Sequence, residues 1–403
     1  MLEYIFIAIL LGIIAGTFTG IFPGVHINLV ALMLFLFSPF FLKFASPLII
    51  AIFIISMSIA HTFVDFIPSI FLGAPNEDTA LSTLPGHRLL LKGLGYSAVK
   101  LTTTGAFFGL LIAIALTPFF IVTVPLFYKI LVKIMSLILI AIAVFLIMRE
   151  DKKIFALFIF LFSGILGIAV LNLKIIKQPL FPLFSGLFGT SLLIISFLQN
   201  VKLPKQKITG ENIGKKELVN VLGLSIISSS LVSFLPGLGS AQAATIASGL
   251  KKISEKAFLM LVGAVNTIVM CLSFVALYVI GKPRSGVAVF TGKFLAEFAG
   301  YFSQEQLWVL LFSALVAGSV SVFISLLFAR VFAKNIEKIN YKWLCLTISG
   351  IILILTPLIS GWFSLIVLIT ATGIGIITSL SGIKKIHMMG CLLLPVILFY
   401  LPF

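Results

Sequence analysis

The chain has very little charge for its length. Only 10% of its 403 residues are Asp, Glu, Lys or Arg, whereas 61% are hydrophobic. Soluble globular proteins carry about 25% charged residues, so the composition excludes a soluble protein. The hydrophobic residues form continuous runs of about 20 residues, without the two-residue alternation of barrel strands. The composition therefore predicts an all-α polytopic membrane protein located in the cell membrane.

Residues for several kinds of chemistry are also scarce. The three cysteines and four histidines are scattered, which gives neither a disulfide framework nor the spacing of metal ligands. The sequence contains no Walker-type loop, no dinucleotide fingerprint and no nucleophile elbow. We therefore predict neither an enzyme nor an ATP-driven pump. No cofactor and no metal are expected, and Na⁺ and H⁺ remain open as coupling ions.

The charge that is present is mostly positive. Lys and Arg outnumber Asp and Glu by 28 to 12, which gives a net charge of +16. These cations lie in short connections between apolar runs, where they orient the chain and contact anionic headgroups. The pattern indicates membrane lipid, and not nucleic acid, as the partner of the positive charge.

Two apolar runs are each interrupted by a Pro-Gly pair. The first reads GTFTGIFPGVHINLV (residues 16–30) and the second reads SSLVSFLPGLGSAQAATIA (residues 229–247). Proline removes a backbone donor and glycine adds conformational freedom, so one helix should end at each pair and another begin beyond it. In hydrocarbon such a break persists only against protein or a water-filled cavity. Paired breaks in two halves of a chain indicate a transporter's binding site.

The helix starts beyond these breaks predict an anion site. A half-helix begins with free N–H groups and a partial positive charge, which suit a carboxylate or a phosphate. Two cations in the loop GKPRSG (residues 281–286) would add charge. The predicted substrate-binding residues are Pro23, Gly24, His26, Asn28, Pro236, Gly237, Gly239, Ser240, Gln242, Lys282 and Arg284. The alternative interpretation is a plain kink at each pair, with the loop cations snorkelling at the surface.

Ionisable residues inside an apolar run form a second candidate group. His61 and Asp65 are four residues apart and so share one face of a helix. A carboxylate in an apolar span is costly and is usually functional. We predict ion or proton coupling by His61, Asp65 and Asn266. The alternatives are local capping by Asp65 near a membrane surface and a helix–helix hydrogen bond by Asn266.

Further matching motifs divide the chain into two halves. The tripeptide GAP at 73–75 has a counterpart in GKP at 281–283. We predict an N-terminal repeat over residues 1–200, a cytoplasmic linker over 201–217 and a C-terminal repeat over 218–403. The distribution of Lys and Arg places the linker inside and the N-terminus outside. The two repeats then have inverted topology, with about five crossings each plus broken or re-entrant helical hairpins.

Three motifs together resemble one transporter family. They are the first Pro-Gly pair, the stretch GAPNEDTALSTLPGHRLLLKGLG (73–95) and the stretch LPGLGSAQAATIASGLKK (235–252). This pattern resembles the large permease subunit of tripartite tricarboxylate transporters, and GAVNT at 263–267 is similar to that family's Asn-containing motif. The resemblance implies cation-coupled uptake of carboxylates such as citrate. It also implies an extracytoplasmic binding protein and a small membrane subunit as partners.

The paired Pro-Gly breaks are also similar to those of the polyprenyl-phosphate translocases. That resemblance would imply a lipid-linked phosphate as the substrate. We expect a secondary, ion-coupled transporter of an organic anion, a di- or tricarboxylate, that works by alternating access. A lipid-carrier translocase or flippase is the alternative. A closed pocket sized for a small acid would favour the first, and a lipid-wide slot between helices would favour the second.

Overall fold

The fold is built from helices throughout the part of the chain that the structure describes. The computed structural model describes residues 2–22, 27–74, 78–198, 204–210, 213–234, 239–283, 285–299, 302–336 and 341–401. Helix accounts for 85% of the chain, and these residues form no strand. The helices are α1 (Leu2–Ile21), α2 (Ile27–Leu36), α3 (Ser38–Phe41), α4 (Pro47–Val64), α5 (Thr83–Leu91), α6 (Gly95–Lys133), α7 (Met135–Met148), α8 (Lys153–Asn172), α9 (Leu180–Phe184), α10 (Ser191–Leu198), α11 (Lys215–Ser233), α12 (Ser240–Leu250), α13 (Glu255–Ile280), α14 (Gly286–Ala299), α15 (Gln304–Ile336), α16 (Tyr341–Ser360), α17 (Ser364–Leu380) and α18 (Gly390–Tyr400).

Short turns of other helix types join some of these helices. Two are π-helical, at Pro68–Leu72 and Ser185–Thr190, and two are 3₁₀ turns, at Ala80–Ser82 and Lys385–Met389. Eight helical stretches of the described residues are long and apolar enough to cross a membrane. They are Leu2–Ile21, Pro47–Leu72, Gly95–Tyr128, Lys153–Asn172, Leu180–Leu198, Glu255–Ile280, Gln304–Ile336 and Lys342–Ser360. This result confirms the prediction of a multi-pass helical membrane protein.

The two most buried spans, which begin with α4 and α13, are built alike. Each is 26 residues long. Ser46 and Ser254 cap their first turns by accepting a hydrogen bond from the backbone N–H three residues further on. Gly73 and Gly281 end them with φ of 64° and 63°, a left-handed conformation that favours glycine. The glycine of each Gly-x-Pro motif is therefore a helix stop.

Small residues bring α1 into close contact with α4. Gly12, Gly16 and Gly20 recur every four residues on the face of α1 that packs on α4. A Cβ atom on Gly16 would collide with the backbone carbonyl of Met57. Without a hydrophobic driving force between helices in lipid, such small-residue faces supply the close packing. They hold the end of α1 beside α4.

The same device joins α13 to α6. A Cβ atom on Gly105 of α6 would collide with the Met260 carbonyl, and one on Gly263 of α13 would collide with the Thr102 carbonyl. Because α13 also packs on α4, α11, α12 and α15, it lies in the interior of the molecule. The large side chains Phe63, Phe66 and Phe274 on α4, just beyond it and on α13 are fully buried.

Charged connections gather at one end of the molecule, which we call the polar face. It comprises residues 88–95, 149–153, 204–210, 249–256 and 381–384, and side-chain contacts join these segments to one another. The contacts run from Arg88 to Glu255 (2.7 Å), from Gln206 to Gly95 (3.0 Å), from Arg149 to Gly249 (2.9 Å), from Glu150 to Lys384 (3.1 Å) and from Lys152 to Ser381 (2.9 Å). The linker after the first half therefore lies against the start of α6.

Candidate functional site

Both predicted breaks separate two helices. One helix ends at Ile21 and the next begins at Ile27, and in the second half one ends at Ser233 and the next begins at Ser240. Six of the predicted substrate-binding residues lie outside the described residues. They are Pro23, Gly24, His26, Pro236, Gly237 and Arg284.

The helix that follows each break begins against the other half of the chain. Near the start of α2, Asn28 Oδ1 accepts a hydrogen bond from the backbone N–H of Val287 in α14, over 3.0 Å. At the start of α12, the hydroxyl of Ser240 donates a short hydrogen bond to a carboxylate oxygen of Asp78. The two contacts are crossed, because each joins one half's break to the segment that follows the other half's long central span. Asn28 and Ser240 are therefore both placed by contacts between the halves.

Unsatisfied polar groups surround the start of α12. Gln242 Oε1 accepts a hydrogen bond from Gly239 N–H over 2.8 Å, which caps the helix and directs the Gln242 Nε2 away from that N–H. Nε2 is buried and has no hydrogen-bond partner among the described residues. The same holds for the hydroxyls of Ser229 and Ser233, one turn apart on α11, which packs against α12. Buried polar groups are normally paired, so this set suits a ligand with acceptor oxygens.

The predicted coupling residues lie together near the end of α1. His61 Nδ1 is 3.0 Å from the hydroxyl of Thr19, near the end of α1. His61 Nε2 is 3.9 Å from Asp65 Oδ2, and Asn266 Nδ2 of α13 donates to the same oxygen over 3.2 Å. The Asp65 side chain is only 2% exposed. A carboxylate buried this deeply needs donors around it, and three helices supply this environment.

Hydroxyl contacts fix the helices that carry this group. Thr62 Oγ1 and Thr267 Oγ1 are 3.1 Å apart and join α4 to α13, one residue along from His61 and Asn266. On the other side of α4, Ser325 of α15 donates to the Phe63 carbonyl over 2.9 Å. These contacts set the relative position of the helices that brings Asp65 to Asn266.

Comparison with known proteins identifies the family. Residues 6–390 match the tripartite tricarboxylate transporter TctA family. The chain belongs to the TctA family. An uncharacterized protein of Methanocaldococcus jannaschii is 32% identical over 405 residues, which cover 98% of each of the two chains. No solved structure matches the chain.

TctA membership makes the chain a component of a tricarboxylate transporter, and confirms the resemblance seen in its motifs. TctA is a transporter family and not an enzyme family, as the composition predicts. Its members are the large subunit of a tripartite transporter. The comparisons give no support to the polyprenyl-phosphate translocase alternative.

The remaining predicted cation of this TctA chain lies at the protein surface. Lys282 is exposed, and its Nζ is 5.5 Å from the centroid of the Tyr128 ring on α6. Its position is that of a surface cation held by a cation–π contact. Two other cations, Arg88 and Lys92, both contact the Glu255 carboxylate at the polar face.

Three residues outside the predicted substrate-binding and coupling sets lie next to members of those sets. Asp78 accepts the hydrogen bond of Ser240. Ser229 and Ser233 belong to a serine-rich stretch that precedes the second break. The available signals were an acid shortly after the GAP tripeptide and two serines at helical spacing on the approach to a Pro-Gly pair.

Proposed function

We propose that this chain is the large membrane subunit of a secondary transporter that carries a small di- or tricarboxylate by alternating access. The observation that carries the proposal is a set of buried donors in α11 and α12 that have no hydrogen-bond partner among the described residues, namely Gln242 Nε2 and the hydroxyls of Ser229 and Ser233. A carboxylate offers several acceptor oxygens and is favoured at a helix start by the helix dipole. Family membership supplies the substrate class.

The substrate site lies between the two breaks. Gly239, Ser240 and Gln242 form one side, and Asn28 with the first Pro-Gly pair forms the other. The crossed contacts of Asn28 and Ser240 support this arrangement, because each break is held by the opposite half. The predicted residues Pro23, Gly24, His26, Pro236, Gly237 and Arg284 complete the set, and Lys282 guides anions at the surface.

Transport is coupled to a cation, Na⁺ or H⁺, through Asp65 with His61 and Asn266. A buried carboxylate with a neighbouring imidazole is a common element of proton and ion pathways in transporters. Asp78 places a second carboxylate at the start of α12. Two carboxylates close to an anionic substrate repel it, so a bound cation that neutralises one of them would favour substrate binding. This electrostatic relationship gives a physical reason for symport.

The two halves are inverted repeats that rock against each other. Three features support this proposal: the 26-residue spans, their matching serine and glycine caps, and the crossed contacts of the two breaks. The boundaries remain those predicted, at residues 1–200, 201–217 and 218–403. In inverted-repeat transporters, discontinuous helices bind substrate near the midplane and the repeats move around that site.

The polar face is the cytoplasmic face and the N-terminus is outside. The lysine-rich linker belongs to this face, as do Arg88, Arg149, Lys251 and Lys384, so the positive-inside rule favours this orientation. An extracytoplasmic binding protein and a small membrane subunit are the proposed partners. Membrane-impermeant maleimide tests the orientation: Glu3→Cys should be labelled from outside whole cells and Lys205→Cys only after permeabilisation. Labelling of Lys205→Cys in intact cells would reverse the orientation.

Uptake of labelled citrate, succinate and tricarballylate into proteoliposomes tests the function, with the partner subunits added from the same source. Gln242→Ala should lower citrate uptake at least tenfold. Gln306→Ala is the matched control, because Gln306 also caps a helix, accepting from Ser303 N–H over 3.0 Å, at the start of α15. Equal uptake by wild type and Gln242→Ala would contradict a substrate site at α12. If none of the three acids is taken up, the proposed carboxylate transport is wrong.

A further inference from the structure

Lys385 carries a buried amine that the transport site does not use. It opens the 3₁₀ turn that precedes α18, and the residue is only 7% exposed. Its Nζ makes no hydrogen bond with any residue that the structure describes. Desolvation of an ammonium group is costly unless an opposite charge compensates it. A lysine in this position therefore calls for an anion.

The carboxylate of Glu150, which contacts this turn, is already engaged by other residues. Glu150 Oε2 accepts from Lys384 Nζ over 3.1 Å, and it lies 3.0 Å from Nε2 of His387. Lys384 keeps most of its side chain in solvent, whereas Lys385, the next residue, points into the protein. Two adjacent lysines thus have opposite environments: one is exposed and paired, and the other is buried without a partner among the described residues.

A buried histidine interacts with Lys385. The neighbouring titratable group is His87 of α5, which is buried and hydrogen-bonds to the backbone of Ile70. Burial lowers the pKa of His87 to about 4, and the charge of Lys385 acts in the same direction. His87 is therefore neutral at physiological pH. A neutral imidazole can donate a hydrogen bond, but it supplies no charge to balance the ammonium.

The turn is in position to meet the substrate. It packs against α12, whose first residue, Ser240, belongs to the proposed site. The other end of α12 reaches the polar face, where the carbonyl of Gly249 accepts a hydrogen bond from Arg149. An 11-residue helix is about 16 Å long. Lys385 therefore lies beside the helix that runs from the proposed site to the polar face.

We propose that Lys385 binds a carboxylate group of the transported acid as the acid passes along α12, between the α12 start and the polar face. This inference rests on the proposed function. The acid would supply the missing counter-charge, and His87 would contact it as a neutral neighbour. An ammonium recognises oxyanions as a class, so inorganic phosphate is the probe that separates oxyanion binding from carboxylate selection.

Binding to the purified protein in detergent tests the inference. The affinities for citrate, tricarballylate and phosphate are measured by calorimetry in chloride buffer for wild type, Lys385→Gln, Lys385→Arg and Lys384→Gln. Lys385→Gln should weaken citrate binding at least tenfold, Lys385→Arg should restore much of it, and Lys384→Gln should stay within twofold of wild type. Size-exclusion elution and the circular dichroism spectrum check that each variant is folded.

The possible outcomes separate the two proposals. Citrate binding that is equal in wild type and Lys385→Gln overturns the inference and leaves the proposed function intact. Phosphate binding lost in Lys385→Gln, with no binding of either acid, keeps the anion site and overturns the carboxylate function. Wild-type protein that binds none of the three probes overturns both.

Discussion

Asp65 and Asn266 meet in the interior of the protein, where the Asn266 amide donates to Asp65 Oδ2 over 3.2 Å. The contact joins the central helix of the first half to that of the second. In the proposed mechanism, in which the two halves rock against each other, a carboxylate buried between them is well placed to link ion binding to transport. Replacement of Asp65 by Asn keeps the shape and removes the charge. We expect Asp65→Asn to abolish the stimulation of citrate uptake by Na⁺ or proton gradients while citrate exchange persists.

Uptake and exchange in proteoliposomes, measured with each gradient imposed separately, check this expectation. Asp151→Asn is the control, because it removes a carboxylate that is exposed at the polar face. An Asp65→Asn protein that still responds to a gradient as the wild type does would exclude coupling through this residue.

Replacing the serines before the second break distinguishes a role in folding from a role in substrate binding. Ser229 and Ser233 have buried hydroxyls without partners among the described residues, so their removal should cost the fold little or stabilise it slightly. A hydrogen bond to a charged carboxylate contributes about 1.5–3 kcal/mol, so each Ser→Ala change should weaken citrate binding by about tenfold or more.

Ser225→Ala is the matched control for these changes. Its hydroxyl lies on the same helix and is also buried, but it already donates to the Val221 carbonyl over 2.8 Å. Calorimetry gives the affinity, and thermal unfolding in detergent gives the stability. Variants of Ser229 and Ser233 with unchanged citrate affinity would show that the two hydroxyls do not contact the substrate.

Features set by local chemistry were predictable from the sequence. Proline and glycine act on the backbone of their own segment, which is why the interruptions before α2 and α12 could be placed. The i,i+4 spacing of His61 and Asp65 follows from helix geometry alone, and the structure confirms that the two side chains are close. The Gly-x-Pro motifs likewise mark helix stops, as Gly73 and Gly281 show.

Contacts between distant segments were not predictable in this way. The meeting of Asp65 with Asn266 depends on how α4 and α13 pack, and the meeting of Ser240 with Asp78 depends on the crossed arrangement of the halves. Lys385 shows the same limit most clearly. In the sequence it is one of two adjacent lysines in a connection, and only packing determines which of the pair is buried.

Close helix packing gives a prediction about stability. Gly16 of α1 faces the Met57 carbonyl at a distance that leaves no room for a Cβ atom, so Gly16→Ala should force α1 away from α4. We expect this change to lower the melting temperature by several degrees, since overpacking costs about 1–3 kcal/mol.

Gly373→Ala in α17 is the control for the intrinsic effect of the substitution. Among the described residues nothing lies within 4 Å of a Cβ atom at Gly373, and Ala is favoured over Gly within a helix by about 0.5–1 kcal/mol. That variant should therefore melt at or above the wild-type temperature. Thermal unfolding of both proteins in the same detergent measures the difference. Equal melting temperatures would argue against the tight α1–α4 contact.

Burial of Lys385 predicts a pH-dependent stability. Burial lowers the pKa of Lys385 from 10.5 to about 8 in the folded protein. Between these values the unfolded chain holds a proton that the folded protein has released, so stability should rise with pH from about 8 to 10.5. The free-energy cost of burying the charged amine is therefore fully present below about pH 8 and absent above pH 10.5. A shift of this size corresponds to a cost of the order of a few kcal/mol.

In chloride buffer, Lys385→Met should be more stable than wild type at pH 7, and the difference should shrink as the pH rises towards 10. Melting curves at pH 7, 8, 9 and 10 provide the measurement, and Lys384→Met, which removes an exposed ammonium, should follow the wild-type profile. A wild-type advantage at pH 7 would mean that Lys385 is already paired in the absence of substrate.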